Sequence, residues 1–526
     1  MADSSNNLKT PLLHNRNQND EEFVINIQVN GGGGIRNPNP NPNPFEFLGA
    51  SPELPLPRPS SIDPFKNRTP SVVGAGFYEW VKVVVIVPVA LVRLVMFGLA
   101  LAVGYLATKS ALEGWKDRQS PMPRWRSRLM WITRICTRCI LFCFGYHWIR
   151  RIGNPAARDV APIVVSNHVS YIEPIFFFYE LFPTIVASES HDSLPFVGTI
   201  IRAMQVIYVD RFSAASRKHA VSEIKRKASC NNFPRVLLFP EGTTTNGRSL
   251  ISFQLGAFIP GFPVQPVVVR YPHVHFDQSW GQISLAKLMF RMFTQFHNFM
   301  EVEYLPLIAP LEIKQESAVH FAERTSYAMA RALNVVQTSH SYGDMMLLTR
   351  ASQLTREKCS TYMVEMALTE SSFGITTSEA MELLDQFFAM NPDTDGRVNI
   401  HGFLPVCGLG YCRLSEKIFN YLDVEKKGSI TFRQFLLGSG YVRKQPLFRN
   451  ACETAYSKCS DDGGAADHIT LNKLGDLIQS SMPDTSEETV HQLLQGFDVD
   501  NDGVISRADF LRWLQRNPLL IAIFAA

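Results

Sequence analysis

Hydrophobic positions along the chain fall into three kinds of run. From Val83 to Thr108 nearly every residue is apolar, broken by Pro88 and Arg93. That exceeds the roughly 20 residues that span a hydrocarbon core, and it predicts a membrane helix. Arg93 must then pair or lie near an interface, because a charge in lipid is costly. A second stretch, Trp131 to Trp148, sets Arg134 and Arg138 one turn apart and reads as an interfacial amphipathic or re-entrant helix.

Further along, short β-rich runs alternate with helical patterns, as α/β architecture requires. Ile163 to Val165, Val206 to Val209, Val236 to Phe239 and Val267 to Tyr271 read as buried strands, with Pro266 opening the fourth. Glu301 to Leu305 alternates like an edge strand. Ser213 is placed to cap a helix through Lys227, and Glu316 to Leu333 has a helical period. In the last third, Val398, Ile430, Ile469 and Ile505 recur at the centres of similar loops and predict four helix–loop–helix units in two pairs.

These patterns divide the chain into residues 1–75, 76–152, 153–345 and 370–526. The first part holds Gly31 to Gly34, an Asn-Pro repeat from Asn37 to Pro44 and a Pro/Ser-rich stretch to Pro70, and is expected to be disordered. The second carries membrane-associated helices, the third an α/β domain, and the fourth an all-α module whose apolar tail, Leu519 to Ala526, should dock on it.

Net charge is only +3, so nothing calls for nucleic acid. Basic residues Lys109, Lys116, Arg118, Arg124, Arg126 and Arg128 follow the apolar run, against Lys66, Arg68 and Lys82 before it. The positive-inside rule therefore puts the C-terminal side in the cytosol. No secretory signal is visible, and Thr10-Pro-Leu-Leu13 has the form of a sorting signal. The nine cysteines form no disulfide framework, and Cys136, Cys139 and Cys143 suit burial or palmitoylation better than a metal. The expectation is an integral protein of the endoplasmic reticulum or another endomembrane, with both later domains in the cytosol.

The candidate chemistry sits where strands end. Asn167-His168 closes the first, and four residues separate His168 from Glu173. A histidine oriented by a carboxylate can take a proton from an alcohol at neutral pH. Asp210-Arg211 follows the second strand, and an arginine can hold a phosphate through two hydrogen bonds. Phe239-Pro240-Glu241-Gly242-Thr243-Thr244 follows the third. There Gly242 permits close backbone approach, the threonines offer hydroxyls, and Glu241 could accept a hydrogen bond from a substrate hydroxyl.

In order, Asn167-His168-Val-Ser-Tyr-Ile-Glu173, Tyr208-Val-Asp-Arg211, Phe239-Pro-Glu-Gly-Thr243 and Val264-Gln-Pro-Val267 resemble the four blocks of the glycerolipid acyltransferase family. That family includes 1-acylglycerol-3-phosphate and lysophospholipid acyltransferases. The resemblance covers about residues 160 to 275 and implies acyl transfer from acyl-CoA, as co-substrate, to a glycerol hydroxyl in the membrane. His168 would be the general base. Asn167, Arg211, Glu241, Gly242 and Thr243 would bind the phosphate-bearing acceptor, and backbone amides near the helix start would stabilise the oxyanion. The family's usual acid is aspartate where this chain has Glu173; the longer side chain can still reach the imidazole. With the C-terminal loops the match is closest to lysophospholipid acyltransferases that carry EF-hands. It favours lysophosphatidylethanolamine over lysophosphatidylcholine, with glycerol phosphate or lysophosphatidic acid as a third acceptor class. A calcium-responsive membrane adaptor with an inactive lipid-binding domain is the alternative.

The last loop, Asp498 to Asp509, follows the EF-hand pattern with Asp498, Asp500, Asp502, a backbone carbonyl from Val504, Gly503 at the sixth place and Asp509 at the twelfth. An aspartate there should weaken calcium and let magnesium compete. The first loop has Asn391, Asp393, Asp395 and Arg397 but Gly402 at the twelfth place, so it should bind weakly. The second, with Lys427 and Gln434 at ligand places, should be empty, and the third, Asp461 to Thr470, is irregular.

Overall fold

The computed structural model describes residues 43–67, 77–115, 119–272, 276–281, 283–311, 316–354, 359–460, 468–483, 485–498 and 502–525. Thr10 to Leu13, the Gly and Asn-Pro runs up to Pro42, most of the third loop and Asp500 lie outside these residues.

Seven strands form the central sheet: β1 (Arg150–Ile152), β2 (Ile163–Ser166), β3 (Thr184–Ala187), β4 (Ile207–Tyr208), β5 (Val236–Leu238), β7 (Val264–Arg270) and β8 (Glu301–Tyr304). Their order is β1-β8-β7-β2-β5-β3-β4, parallel throughout except between β7 and β8. β8 is therefore interior, not the expected edge, because β1 pairs along its outer side. Pro266 stands third in β7 and opposite Val165, one turn of the pleat later than expected. A small parallel pair joins β6 (Ser249–Leu250) to β9 (Val336–Gln337).

Side chains alternate across the sheet. Val164, Leu237, Val267 and Val269 face one cluster with Phe144, Phe176, Leu288 and Met292. Ile163, Val165, Val236 and Val268 face another with Ile224, Phe321 and Met329. The first layer comes from α2 (Arg124–Cys143), α3 (Ile172–Leu181) and α6 (Leu285–Phe293), the second from α5 (Ala214–Ser229) and α7 (Ala318–Leu333). Both α5 and α7 start on serine caps, Ser213 and Ser317, whose hydroxyls accept Ser216 N–H and His320 N–H. Because β2, β3, β4 and β5 run parallel, their C-terminal ends share one edge, and every predicted chemical residue follows one of those ends.

α1 (Phe77–Leu112) is the one described helix long and apolar enough to cross a membrane. Yet its buried positions, among them Lys82, Ile86, Arg93, Thr108 and Ala111, run its whole length. Lys82 Nζ donates to Gln295 Oε1 at 3.1 Å, and Arg93 donates to the carbonyls of Phe293, Gln295 and Phe296. At the other end, the turn into α2 is held by Gln205 Nε2 on Ser120 O (2.8 Å) and Arg226 on Gln119 O (3.0 Å). α1 and α2 thus form a hairpin fastened at both ends to the α/β domain. Arg134 and Arg138 point inward, to the carbonyls of Tyr179, Glu180, Tyr146 and His147.

Part of the stretch expected to be disordered is ordered. Phe45, Leu48 and Leu54 are buried in the core of the C-terminal module, and Phe65 packs with Ile251 and Leu348. Proline-rich sequence gives this strap no core of its own; it borrows two. Tyr441 Oη donates to Ser51 Oγ and Arg433 to Pro57 O.

α8 (Tyr342–Leu354) straddles residue 345, the expected end of the α/β domain, because Asp344 is fully buried and accepts four backbone N–H bonds. These come from Ser341 and from Val364, Glu365 and Met366, just before and within α9 (Met366–Phe373). Beyond lie α10 (Thr377–Ala389), α11 (Ile400–Val406), α12 (Arg413–Leu422), α13 (Phe432–Arg443), α14 (Phe448–Cys459), α15 (Leu471–Ser481), α16 (Glu487–Phe497) and α17 (Arg507–Arg516). Two short antiparallel pairs link their loops: β10 (Arg397–Asn399) with β11 (Ser429–Thr431), and β12 (His468–Thr470) with β13 (Val504–Ser506). Val398 stands opposite Ile430 and Ile469 opposite Ile505, so the four periodic hydrophobes meet two by two. The tail from Leu519 to Phe524 is buried in the same core.

Candidate active site

β2 ends at Ser166, and the chain turns through Asn167 and His168 before α3 begins at Ile172. His168 therefore lies in the turn between β2 and the helix. Glu173 lies in the first helical turn, where a negative charge is favoured. Nδ1 of His168 is 3.0 Å from Glu173 Oε2. The imidazole stacks on Phe239 with centroids 4.2 Å apart, and its side chain keeps 18% of its surface exposed while Glu173 has none. Nε2 has no partner among the described residues and is the nitrogen left to take a proton.

Glu173 is braced independently of His168. Ser170 N–H donates to both carboxylate oxygens (3.0 and 2.9 Å), and Tyr271 Oη donates to Oε1 at 2.6 Å. Burial first, and the Glu173 charge second, push the Tyr271 phenol well above its ordinary pKa, so it remains a donor. These bonds also correct an expectation: Glu173 has taken the Val169 and Ser170 amides near the helix start, which leaves them unable to serve an oxyanion.

Asn167 does not face a substrate. It is buried, and its amide donates to Val269 O (3.0 Å) and accepts from Val269 N–H (2.8 Å), tying the end of β2 to β7. Glu241 is also fully buried; Oε1 accepts the His168 backbone N–H at 2.9 Å. It sets the loop that carries the base and has no surface to offer an acceptor. The turn after it reaches the surface: Gly242 has φ +74°, a conformation that favours glycine, and Thr243 is half-buried beside it. Thr245 N–H closes the arrangement on His168 O at 2.8 Å.

Arg211 follows β4 and lies with Cζ 4.4 Å over the Tyr342 ring, with no carboxylate partner among the described residues. Tyr342 also lines the Gly242 turn, its Cβ 3.6 Å from where a Cβ on Gly242 would stand. His168, Glu173, Gly242, Thr243 and Arg211 therefore gather on one sheet edge, while Asn167 and Glu241 support them from behind. Tyr271 and Tyr342 escaped the sequence reading. Tyr271 ended a predicted strand and looked like core, and Tyr342 sits far along the chain with no pattern around it.

Burial raises the Glu241 pKa from 4.5 to about 8, against smaller opposing effects of the His168 and Ile251 backbone amides and the Thr245 hydroxyl. A carboxyl raised on folding favours the folded state fully below 4.5, and that contribution is lost as pH rises through 8. Glu241→Gln keeps the acceptor for His168 N–H and removes the ionisation. Its melting temperature should come close to the parent's near pH 5 and exceed it at pH 9, where the difference in stability is on the order of 4 kcal/mol. Parallel melts at the two pH values check this.

The C-terminal loops differ in kind. Asp498 is buried, its Oδ2 accepts Gly503 N–H at 3.1 Å, and its Oδ1 has no partner, as a ligand awaiting a cation would. Asp502 and Asp509 follow in the same loop: Asp502 Oδ1 accepts Val504 N–H at 2.8 Å, and Asp509 accepts the Ser506 hydroxyl on Oδ2 at 2.6 Å and pairs with Arg512 through Oδ1 at 3.3 Å. The described residues, Asp498, Asp502 and Asp509 among them, contain no cluster of three potential metal-ligating side chains, and Asp500 lies outside them. In the first loop Asp393 Oδ1 is engaged by the Asp395 and Arg397 amides, and the Arg397 carbonyl, the expected ligand, accepts Asp393 N–H. Asn391 opens that loop at φ +57°. An acid could not replace Gly402, whose Cβ would fall 2.3 Å from Met390 O. In the second loop Lys427 Nζ lies 2.6 Å from Glu425, so a lysine ammonium already pairs the carboxylate that a metal would use.

The class these features define is an acyltransferase. A family model of that description matches residues 152–270, and a second, the EF-hand domain pair, matches residues 469–517. The lysophospholipid acyltransferase LPEAT2 of Arabidopsis thaliana is 63% identical over 91% of this chain and 88% of its own length. A lysophosphatidylcholine acyltransferase of Drosophila melanogaster is 30% identical over 76% of this chain and 75% of its own. Human lysophosphatidylcholine acyltransferase 1 is 28% identical over 81% and 80%. The chain belongs to the lysophospholipid acyltransferase family and is an enzyme.

Proposed function

We propose that this enzyme transfers the acyl group of acyl-CoA to the free hydroxyl of a lysophospholipid at a membrane surface, with the phosphoethanolamine headgroup favoured. The observation that carries the reading is the 3.0 Å bond from His168 Nδ1 to the buried Glu173, which leaves Nε2 open toward the sheet edge. His168 Nε2 takes the hydroxyl proton as the oxygen attacks the thioester carbonyl. The carbon–sulfur bond then breaks, and the CoA thiolate leaves and recovers that proton. Glu173 stabilises the imidazolium between the two transfers. Among the described residues the amides of Thr243 and Thr244 have no partner, which suits an oxyanion or the headgroup phosphate. Arg211 supplies the matching cation.

The test is to incubate membranes containing the full chain with labelled acyl-CoA and a panel of lysophospholipids. Lysophosphatidylethanolamine should be acylated fastest. Preference for lysophosphatidylcholine would overturn the headgroup assignment, and no acylation of any acceptor would overturn the reaction.

A hairpin fastened at both ends to the catalytic domain supports insertion into one leaflet, with the α/β and EF-hand parts together on the cytosolic face of an endomembrane. The exposed side of α1, including Val84, Leu91, Val95 and Leu99, would meet the acyl chains. Single cysteines at Phe77 and Gln119 should react with an impermeant reagent from the same side of sealed vesicles. Labelling from opposite sides would restore a crossing helix.

Asp498, Asp502, the Val504 carbonyl and Asp509 would hold calcium, which would draw the loop together, and Asp509 lets magnesium compete. If the ion modulates activity, Asp498→Ala should abolish the calcium dependence of turnover. Identical curves for variant and parent would make the module architectural.

A further inference from the structure

Arg211 is a long, half-buried cation whose guanidinium makes no ion pair among the described residues. What holds it is the face of Tyr342, at 4.4 Å. The same ring forms a wall of the Gly242 turn, with its Cβ and Cγ 3.6 and 3.9 Å from a Cβ placed on that glycine. Tyr342 lies outside the matched acyltransferase stretch of residues 152–270. It enters the site as the first residue of α8, whose position is fixed by Asp344 on the Val364, Glu365 and Met366 amides. The far end of α8 is tied to α10 by Arg350 on Asp385, at 2.8 Å. No hydrogen bond of the Tyr342 hydroxyl is found among the described residues, so the ring face is the part in use.

We propose that Tyr342 is a positioning residue for acceptor recognition: its ring holds the Arg211 guanidinium beside the Gly242–Thr243 turn, so that a headgroup phosphate meets a cation already in place. A flexible arginine ordered before the ligand arrives loses less freedom on binding. The ring's negative face supplies the attraction without neutralising the charge, which a carboxylate partner would do. This inference rests on the reading of Arg211 as the phosphate-binding residue. It also makes the acceptor site depend on a helix shared with the EF-hand module.

The experiment measures KM for lysophospholipid and for acyl-CoA with the full chain in membranes. It compares the parent with Tyr342→Leu, Tyr342→Phe, Arg211→Ala and the Arg211→Ala/Tyr342→Leu pair. Leucine keeps bulk without a π face and should raise the lysophospholipid KM about tenfold, leaving the acyl-CoA KM in place. Phenylalanine keeps the ring and should restore the parent value. With Arg211 already removed, the leucine change should add nothing. A leucine variant with the parent's KM, equal shifts in both KM values, or a full extra effect in the pair would each overturn the proposal. If Arg211→Ala alone leaves the lysophospholipid KM unchanged, the phosphate role of Arg211 fails and the proposal falls with it. An effect of Arg211→Ala without one of Tyr342→Leu rejects only the tyrosine.

Discussion

His168→Ala should lower acyl transfer by about 10³-fold while the protein remains folded and membrane-bound. The loss is expected in kcat, because Nε2 is the atom that takes the hydroxyl proton and nothing else described at the sheet edge is placed to replace it. Glu173 is fully buried and already bonded to Ser170 and Tyr271. Arg211 is a cation. The side chain itself packs on Phe239 and keeps 18% exposure, so its removal opens a shallow space and should cost little stability. The assay uses labelled acyl-CoA with the preferred lysophospholipid and a thermal melt as control. Turnover within about tenfold of the parent would mean that some other group is the base.

The second large effect is expected at Glu173. Its two oxygens accept from His168 Nδ1, Ser170 N–H and Tyr271 Oη. Glutamine has one acceptor and one donor in their place. If the amide NH₂ faces His168, the imidazole must present a bare Nδ1 and carry its proton on Nε2, where the base is needed. If it faces Tyr271, two donors collide and a buried hydroxyl is orphaned. Either way kcat should fall by about 10²- to 10³-fold, with the acyl-CoA KM little changed. Glu173→Asp keeps the charge but shortens the reach, and should lose only about tenfold. Equal activity of the glutamine variant and the parent would show that the carboxylate serves the fold alone.

Much of this was legible in the sequence where a signal is local. Periodic valines and isoleucines marked most of the sheet, serines marked helix starts, and four hydrophobes marked the loop pairs. The chemical residues lay at strand ends because a parallel sheet presents those ends together. What stayed hidden depended on distant partners. Asn167 and Glu241 look like surface chemistry in a motif, but each satisfies a backbone group across the fold, and only the folded chain reveals that. α1 is long and apolar enough to cross, as its composition predicts, but composition does not record where the two ends of the hairpin are tied. Residues 43–67 lack the hydrophobic density for a core, and their order comes from cores built elsewhere.

That strap has a consequence for how the molecule is made. Leu54 packs within reach of Gly438 on α13, and Asn246 Nδ2, next to the turn that carries Thr243, bonds the carbonyls of Asp63 and Lys66. A ribosome adding ~5–20 residues per second finishes the strap about 20–75 s before its C-terminal seat emerges. Through that interval the seats of Phe45, Leu48 and Leu54 in the C-terminal core have not yet been made. Sequence made later thus fastens the start of the strap, so a stop codon between α9 and α13 leaves the catalytic domain translated in full but the Phe45–Leu54 end of the strap without its seat.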